Sequence, residues 1–235
     1  MTTPATFRID RRFCGPTGIG NGGYTCGVIA SFASRPVTVR LLKPIPLETD
    51  LTVVERGGLV EVLRGDERLA ETRAGDLGPL TPPPPPDPSD AAAASRRYAG
   101  FETHPAPECF VCGPKRRPGD ALRIFAGPLE PGISAAPWIP DASLDAGDGR
   151  IASEFAWAAL DCPGFAAAAP DMRPMLLGEL TAQVDRRVAI EEPCVVVGWV
   201  IASSGRKHEA GTVLYDSERR LSAIARAIWI EPRSG

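Results

Sequence analysis

The residues able to do chemistry fall in three short stretches. The first is Gly20-Asn21-Gly22-Gly23-Tyr24, which runs straight into the small, apolar segment Thr25-Cys26-Gly27-Val28-Ile29-Ala30. Glycines let a backbone approach a ligand closely. A helix starting here points its first, unpaired N–H groups outwards, where they suit a carbonyl oxygen, an oxyanion or a phosphate. The second stretch is Ala158-Ala159-Leu160-Asp161-Cys162-Pro163-Gly164-Phe165. Asp161 reads as the N-cap of a second helix, with Pro163 in the first turn, where its missing N–H does no harm. A carboxylate so placed can take a proton from water while neighbouring N–H groups polarise a carbonyl. Capping alone also accounts for it, because aspartate is a preferred cap. The third stretch is Cys109-Phe110-Val111-Cys112-Gly113-Pro114, a lone Cys-x-x-Cys that suggests half a zinc ribbon or a redox pair. No second pair follows at ribbon spacing, and His104 is the only histidine nearby. A four-ligand structural site is therefore one ligand short, and no metal is expected.

These stretches need elements to position them. Residues 7–13 read as a short strand or an extended lead-in. The helix after the glycines runs from Asn21 to about Ser34, and Arg35-Pro36 ends it, because proline cannot continue the hydrogen-bond ladder. Gly27, Ala30 and Ala33 recur every three residues, which gives a face slim enough to lie on a sheet. Val37-Thr38-Val39-Arg40-Leu41 alternates as a strand with one buried face. Residues 51–56, 59–64 and 69–74 read as three further strands, turned at Gly57-Gly58 and Gly65-Asp66. Thr81-Pro82-Pro83-Pro84-Pro85-Pro86-Asp87-Pro88 is a polyproline II spacer, and residues 91–95 form a short helical turn. Residues 122–125 read as a strand, and 127–149 as a loop with a short hairpin around Trp138. The second helix runs from Asp161 to Pro170 or Pro174. Strands over 175–188, 194–203, 208–215 and 221–230 follow, and Val195 to Ile201 is too apolar for an edge.

Composition removes several classes. A net charge of -3 argues against a general nucleic-acid binder. No apolar run reaches the length of a membrane span, and Met1-Thr2-Thr3-Pro4 opens no signal-peptide core, so the chain reads as soluble and cytoplasmic. Six cysteines in 235 residues do not make a disulfide scaffold, so thiols are expected. Two histidines are few, so an enzyme resting on a multi-histidine metal site is not expected.

The two halves rhyme. Asn21 begins a helix that ends at Arg35-Pro36, and Asp161 begins one that ends at Arg173-Pro174. Antiparallel strands follow each. Each half closes on a charged turn and a strand, Asp66-Glu67-Arg68-Leu69-Ala70 in one and Ser217-Glu218-Arg219-Arg220-Leu221-Ser222-Ala223 in the other. The expected organisation is a first repeat over 1–78, a proline-rich linker over 79–103 and a second repeat over 104–235. Two such units would cover each other's open edges and make one two-lobed body.

This order resembles the double hotdog fold of acyl-CoA thioesterases, an α+β arrangement in which two antiparallel sheets each wrap a central helix. Gly20-Asn21-Gly22-Gly23-Tyr24 resembles the Gly-Gly turn that opens the central helix of that superfamily. Cys109-Phe110-Val111-Cys112-Gly113-Pro114, continuing to Leu122-Arg123-Ile124, is similar to the lead-in of phenylacetyl-CoA-thioesterase-like hotdogs, where it opens the first strand and is not generally a metal site. Ala158-Ala159-Leu160-Asp161 resembles the Ala-x-Leu-Asp of acyl-CoA thioesterase II relatives, in which the aspartate is catalytic. Ser204-Gly205-Arg206-Lys207, Gly211, Tyr215-Asp216, Leu221 and Ala225 follow the family's closing hairpin. Two departures stand out. The thioesterase II relatives carry a water-holding glutamine near 225–227, where this chain has Ala225-Arg226-Ala227. The Asp/His pair of hotdog hydratases is also missing, since no histidine lies near Asp161.

The resemblance implies an acyl-CoA substrate and no cofactor beyond the CoA it carries. Asp161 would be the general base for water, or a nucleophile forming an anhydride. N–H groups of Gly22, Gly23 and Tyr24 in one lobe and Gly164 in the other would polarise the carbonyl. Asn21, at the place equivalent to Asp161, cannot act as a base, so it binds or polarises. Gln183 and Glu179 are candidates to orient the water, and Arg206 and Lys207 to pair with CoA phosphates. His208 reads as a hairpin residue. Trp138, Trp157, Trp199, Trp229, Phe155 and Phe165 fill the core or line an acyl tunnel. A homo-oligomer, most simply a dimer, is expected. The alternative is a non-catalytic hotdog protein that binds an acyl-CoA or an acyl-carrier protein, which the absent glutamine and the scarcity of histidine favour.

Overall fold

A computed structural model describes residues 5–233. The first half contributes β1 (Ala5–Phe7), α1 (Gly22–Ala30), β2 (Val37–Leu41), β3 (Leu51–Arg56), β4 (Leu59–Arg64) and β5 (Glu67–Ala74). Next come α2 (Pro88–Ser95) and the hairpin β6 (Gly127–Glu130) and β7 (Ile133–Trp138). The remainder is α3 (Ser153–Ala159), α4 (Cys162–Ala168), β8 (Leu176–Val184), β9 (Cys194–Ser204), β10 (Lys207–Tyr215) and β11 (Leu221–Ile230). All eleven strands join one sheet in the order β1-β3-β4-β5-β2-β8-β11-β10-β9-β7-β6. Its neighbours pair antiparallel throughout.

The order is symmetric about one seam. Reading outward from it, β2, β5, β4, β3 and β1 on one side answer β8, β11, β10, β9 and β7 on the other. At the seam Thr38 faces Thr181 and Arg40 faces Glu179. The two threonine hydroxyls bond at 2.7 Å, and Arg40 bridges Glu179 and Glu71 at 2.9 and 2.8 Å. Cross-strand pairs of this kind fix register. Helices α1, α3 and α4 pack against the sheet, α1 on β2 and β8, α4 on β9 and β10.

Several local expectations need correction. The segment 8–13 is not a strand; a short 3-10 turn capped by Asp10 occupies Arg11–Phe13. Residues 122–125 are not a strand either. Arg123 sits at φ 57, and the N–H groups of Leu122 and Ile124 bond the Phe110 and Val111 carbonyls. The Cys109 motif opens no strand but lies in a turn. The helix expected from Asp161 is preceded by α3. The break between α3 and α4 falls at Leu160-Asp161, just ahead of Pro163, which has no N–H to bond the Ala159 carbonyl and whose ring would clash with it in a continuous helix.

The slim face of α1 meets a helix rather than the sheet. A Cβ on Gly23 would lie 2.7 Å from the Trp157 carbonyl oxygen, and one on Gly27 would lie 2.7 Å from the Glu154 Cα. These two glycines, one turn apart, bring α1 and α3 into backbone contact. Gly27→Ala is therefore expected to cost about 1–3 kcal/mol by overpacking. A lower urea midpoint at unchanged m-value would register it, and an unchanged midpoint would mean that the helix contact yields freely.

The proline segment is strapped to the sheet. Its carbonyls at Pro79, Pro83 and Pro85 accept from Arg226, Tyr215 and Arg219. A polyproline stretch has no internal hydrogen bonds, so its carbonyls remain available to such donors. Helix α2 then starts at Pro88, with Asp87 capping Ser89 at 2.9 Å, and packs on β6 and β7. Gly127 admits it, since a Cβ there would fall 1.9 Å from the Ala94 oxygen.

Candidate functional site

A cleft of about 560 Å³ opens at the seam, between the start of α1, the segment after β2, the start of α4 and the ends of β8 and β11. Ile45, Phe165, Leu177 and Trp229 make much of its wall apolar. Asp161, Asn21 and Gly22 lie on it together.

Asn21 builds the first part of the site. It caps α1 with its side-chain oxygen, which accepts from the Tyr24 N–H at 2.9 Å. That bond fixes the orientation of the amide, so its Nδ2 points the other way and donates to Asp161 Oδ2 at 2.8 Å. The Gly23 N–H donates to the same oxygen at 3.0 Å. Asp161 is thus the N-cap of α4 by position only. Its carboxylate accepts no backbone N–H of its own helix, only the Cys162 thiol at 4.0 Å, and ties the N-terminus of α1 instead. The close approach of Gly23 that makes this possible depends on its missing Cβ, which would lie 2.5 Å from the Asp161 Cβ.

Asp161 is 1% exposed. Burial is the main cause that raises its pKa, to about 7, against the two α1 donors that favour the charged form. Its Oδ2 is saturated, whereas Oδ1 meets no hydrogen-bond donor among the described residues. A buried polar atom without a partner beside a cleft is a place for a ligand or a water. The first turn of α1 is similarly divided. Gly23 donates to Asp161, Tyr24 to Asn21 Oδ1 and Thr25 to the Asn21 carbonyl at 3.0 Å, while the Gly22 N–H has no acceptor among the described residues. A free carboxylate oxygen and a free helix N–H on one cleft wall can activate a water and hold an oxyanion.

The other sequence candidates scatter. Gly23 works through Asp161 and its N–H is already engaged. The Tyr24 N–H is engaged too, and its ring stacks on Phe13 at 4.0 Å away from the cleft. Gly164 packs α4 on β10, where a Cβ would lie 2.9 Å from Thr212 Oγ1, and does not line the cleft. Gln183 is on the exposed end of β8, bonded to Asp185 at 2.7 Å, and Glu179 is held by Arg40 and Arg73. Arg206 reaches the cleft and donates to the Glu231 carbonyl at 2.7 Å, but Lys207 does not line it. His208 bonds Ser203 and Glu231 within its hairpin. Of the aromatics, Phe165 and Trp229 line the cleft, and Trp229 Nε1 is buried with no partner among the described residues.

Two participants went unread. Lys43, paired with Glu67, lines the same cleft as Arg206; its setting in Lys43-Pro44-Ile45-Pro46-Leu47 reads as an extended edge or a turn. Cys162 comes against Cys109 at 3.9 Å, a meeting that 53 residues of separation conceal. No helix among the described residues is long and apolar enough to cross a membrane.

No protein-family model matches the chain, and no curated protein matches its sequence. Solved structures do match its fold. Over 97% of its length it is similar to a tesB protein of Mycobacterium avium subsp. paratuberculosis, with a TM-score of 0.63, 14% identity and 92% of that chain covered. A candidate thioesterase of Novosphingobium aromaticivorans matches over 97% of this chain and 95% of its own, with TM-score 0.60 and 14% identity. A candidate thioesterase II of Thermobifida fusca matches over 97% and 92%, with TM-score 0.57 and 15% identity. At these identities the likeness is one of fold.

Proposed function

We propose that the protein is a double hotdog acyl-CoA thioesterase whose base is Asp161. The observation that carries this reading is the division of labour at that carboxylate. One oxygen is locked by Asn21 and Gly23, and the other is buried with no partner among the described residues, on a residue that lines the cleft together with Gly22, whose N–H likewise has no acceptor among them.

Water held at Asp161 Oδ1 gives up a proton as its oxygen attacks the thioester carbonyl. The carbonyl oxygen becomes an oxyanion, stabilised by the Gly22 N–H at the positive end of α1. The C–S bond then breaks, and the proton on Asp161 passes to the departing thiolate. Free acid and CoA result. The acyl chain lies against Ile45, Leu177, Phe165 and Trp229, and the CoA phosphates meet Lys43 and Arg206 at the rim. The amide that thioesterase II relatives place on the closing strand has no counterpart at Ala225-Arg226-Ala227. Asn21 instead brings an amide to the aspartate from α1.

A thiol-release assay over acyl-CoAs of graded length, aromatic ones included, tests the reading. Turnover of at least one member, inhibited by free CoA, is the expected result. No turnover together with retained binding of the esters would make the chain a non-catalytic acyl-CoA or acyl-carrier-protein binder.

A further inference from the structure

Three thiols meet on the wall of the cleft. The Sγ atoms of Cys109, Cys112 and Cys162 all lie within 4.8 Å of one another, and all three residues are buried. They come from two distant segments, the turn at 109–112 and the first residue of α4. Cys109 and Cys162 stand 3.9 Å apart as free thiols. That separation is too long for a disulfide. It is close to the sulfur–sulfur edge of about 3.8 Å that tetrahedral zinc requires with Zn–S bonds of about 2.3 Å.

The backbone N–H groups of Cys112 and Val111 donate to Cys109 Sγ, and the thiols of Cys112 and Cys162 lie against it. Asn21 Nδ2 also donates to Cys109 Sγ at 3.7 Å. The Gly113 N–H returns to the Cys109 carbonyl at 2.9 Å, and a Cβ on Gly113 would lie 2.5 Å from the Cys109 nitrogen, so the turn closes only over glycine.

His104 stands beside the thiols as a hydrogen-bond donor. Its Nδ1 accepts from the Ala106 N–H at 2.9 Å, which places the ring proton on Nε2. Nε2 lies 2.8 Å from the Tyr98 hydroxyl and 3.4 Å from Cys112 Sγ, so the ring donates and does not ligate. Residues 102–126 contain no helix or strand, a length of irregular chain that a staple to α4 would hold.

We infer that Cys109, Cys112 and Cys162 bind one zinc ion through three thiolates on the cleft wall, with the fourth ligand position on the cleft side. Binding releases three thiol protons, and the residual charge of -1 on the zinc–thiolate group is offset by the N–H donors of Val111, Cys112, Asn21 and His104. Soft thiolates select zinc over hard cations. The inference rests on the thiol geometry and not on the thioesterase reading.

Elemental analysis of the full chain, purified without chelator and after saturation with zinc and gel filtration, tests it. About one zinc per chain is expected, with at least a tenfold loss in Cys112→Ser and Cys162→Ser. Cys194→Ser, on β9, should keep its zinc. Cobalt substitution of wild type needs no variant. It should give the intense near-ultraviolet absorption of thiolate-to-cobalt charge transfer. Zinc-saturated wild type holding no more metal than Cys162→Ser, cobalt without that absorption, copper or iron in place of zinc, or a Cys109–Cys162 disulfide in the folded protein would each overturn it. Inactivity towards acyl-CoAs would leave metal content unchanged, so the two readings fail separately.

Discussion

Asp161→Asn should lower kcat about 100-fold or more while KM moves little and the fold survives. The substitution is close to isosteric. The amide oxygen can still accept from Asn21 Nδ2 and the Gly23 N–H, the two bonds that Asp161 Oδ2 accepts at 2.8 and 3.0 Å. What disappears is the basic oxygen, the one that has no partner. Its stability should fall less than that of an alanine variant, because the amide keeps an acceptor for both α1 donors and avoids burying a carboxylate at a site 1% exposed. Asp161→Ala separates this loss from a structural one. It removes the acceptor of two buried donors, at about 1–3 kcal/mol for each left unsatisfied, so its melting temperature should fall along with its activity. Thiol release and thermal melts on the three proteins decide the matter. Activity of Asp161→Asn within about threefold of wild type would leave the residue as a tie between α1 and α4 and nothing more, since losing a base costs far more than that.

The site was half legible in the sequence, for a physical reason. Local signals carry short-range geometry. Asn21 ahead of Gly22-Gly23 announces a capped helix, and α1 starts there. The alternation in Val37–Leu41 announces a strand, and β2 has those bounds. What such signals omit is which termini meet. Asp161 looks like the cap of its own helix because aspartate usually is one, whereas its carboxylate crosses to α1. Asn21 and Asp161, read as equivalent places in two halves, bond each other. The third thiol escaped for the same reason. Counting ligands around Cys109 and Cys112 along the chain finds only His104, and the fold adds Cys162 from α4. Helix α3 was missed because Ser153 to Ala159 lacks a capping side chain and borrows its partner from α1, through Gly23 and Gly27.

Gly22→Pro should lower kcat by about 10²–10³, the usual cost of removing one oxyanion donor. Proline is an unusual instrument inside a helix, but Gly22 is its first residue, where a missing N–H breaks no helical bond. The preceding residue is ready for it as well. Asn21 sits at φ -58 and ψ 133, the extended conformation that a following proline favours. The substitution thus deletes a single group, the N–H that has no acceptor in the protein's described residues, and leaves the bonds of Gly23 and Tyr24 in place. A side chain at 22 also presses on Leu177, whose Cδ2 would lie 2.8 Å from the new Cβ. Gly22→Ala controls for that pressure, because it adds the same Cβ and keeps the N–H. If the alanine variant loses only about a few-fold in kcat and the proline variant loses about a hundredfold more, the N–H is the oxyanion donor. Equal losses in both would assign the effect to Leu177 and the shape of the cleft, and the carbonyl would have to be polarised from another wall.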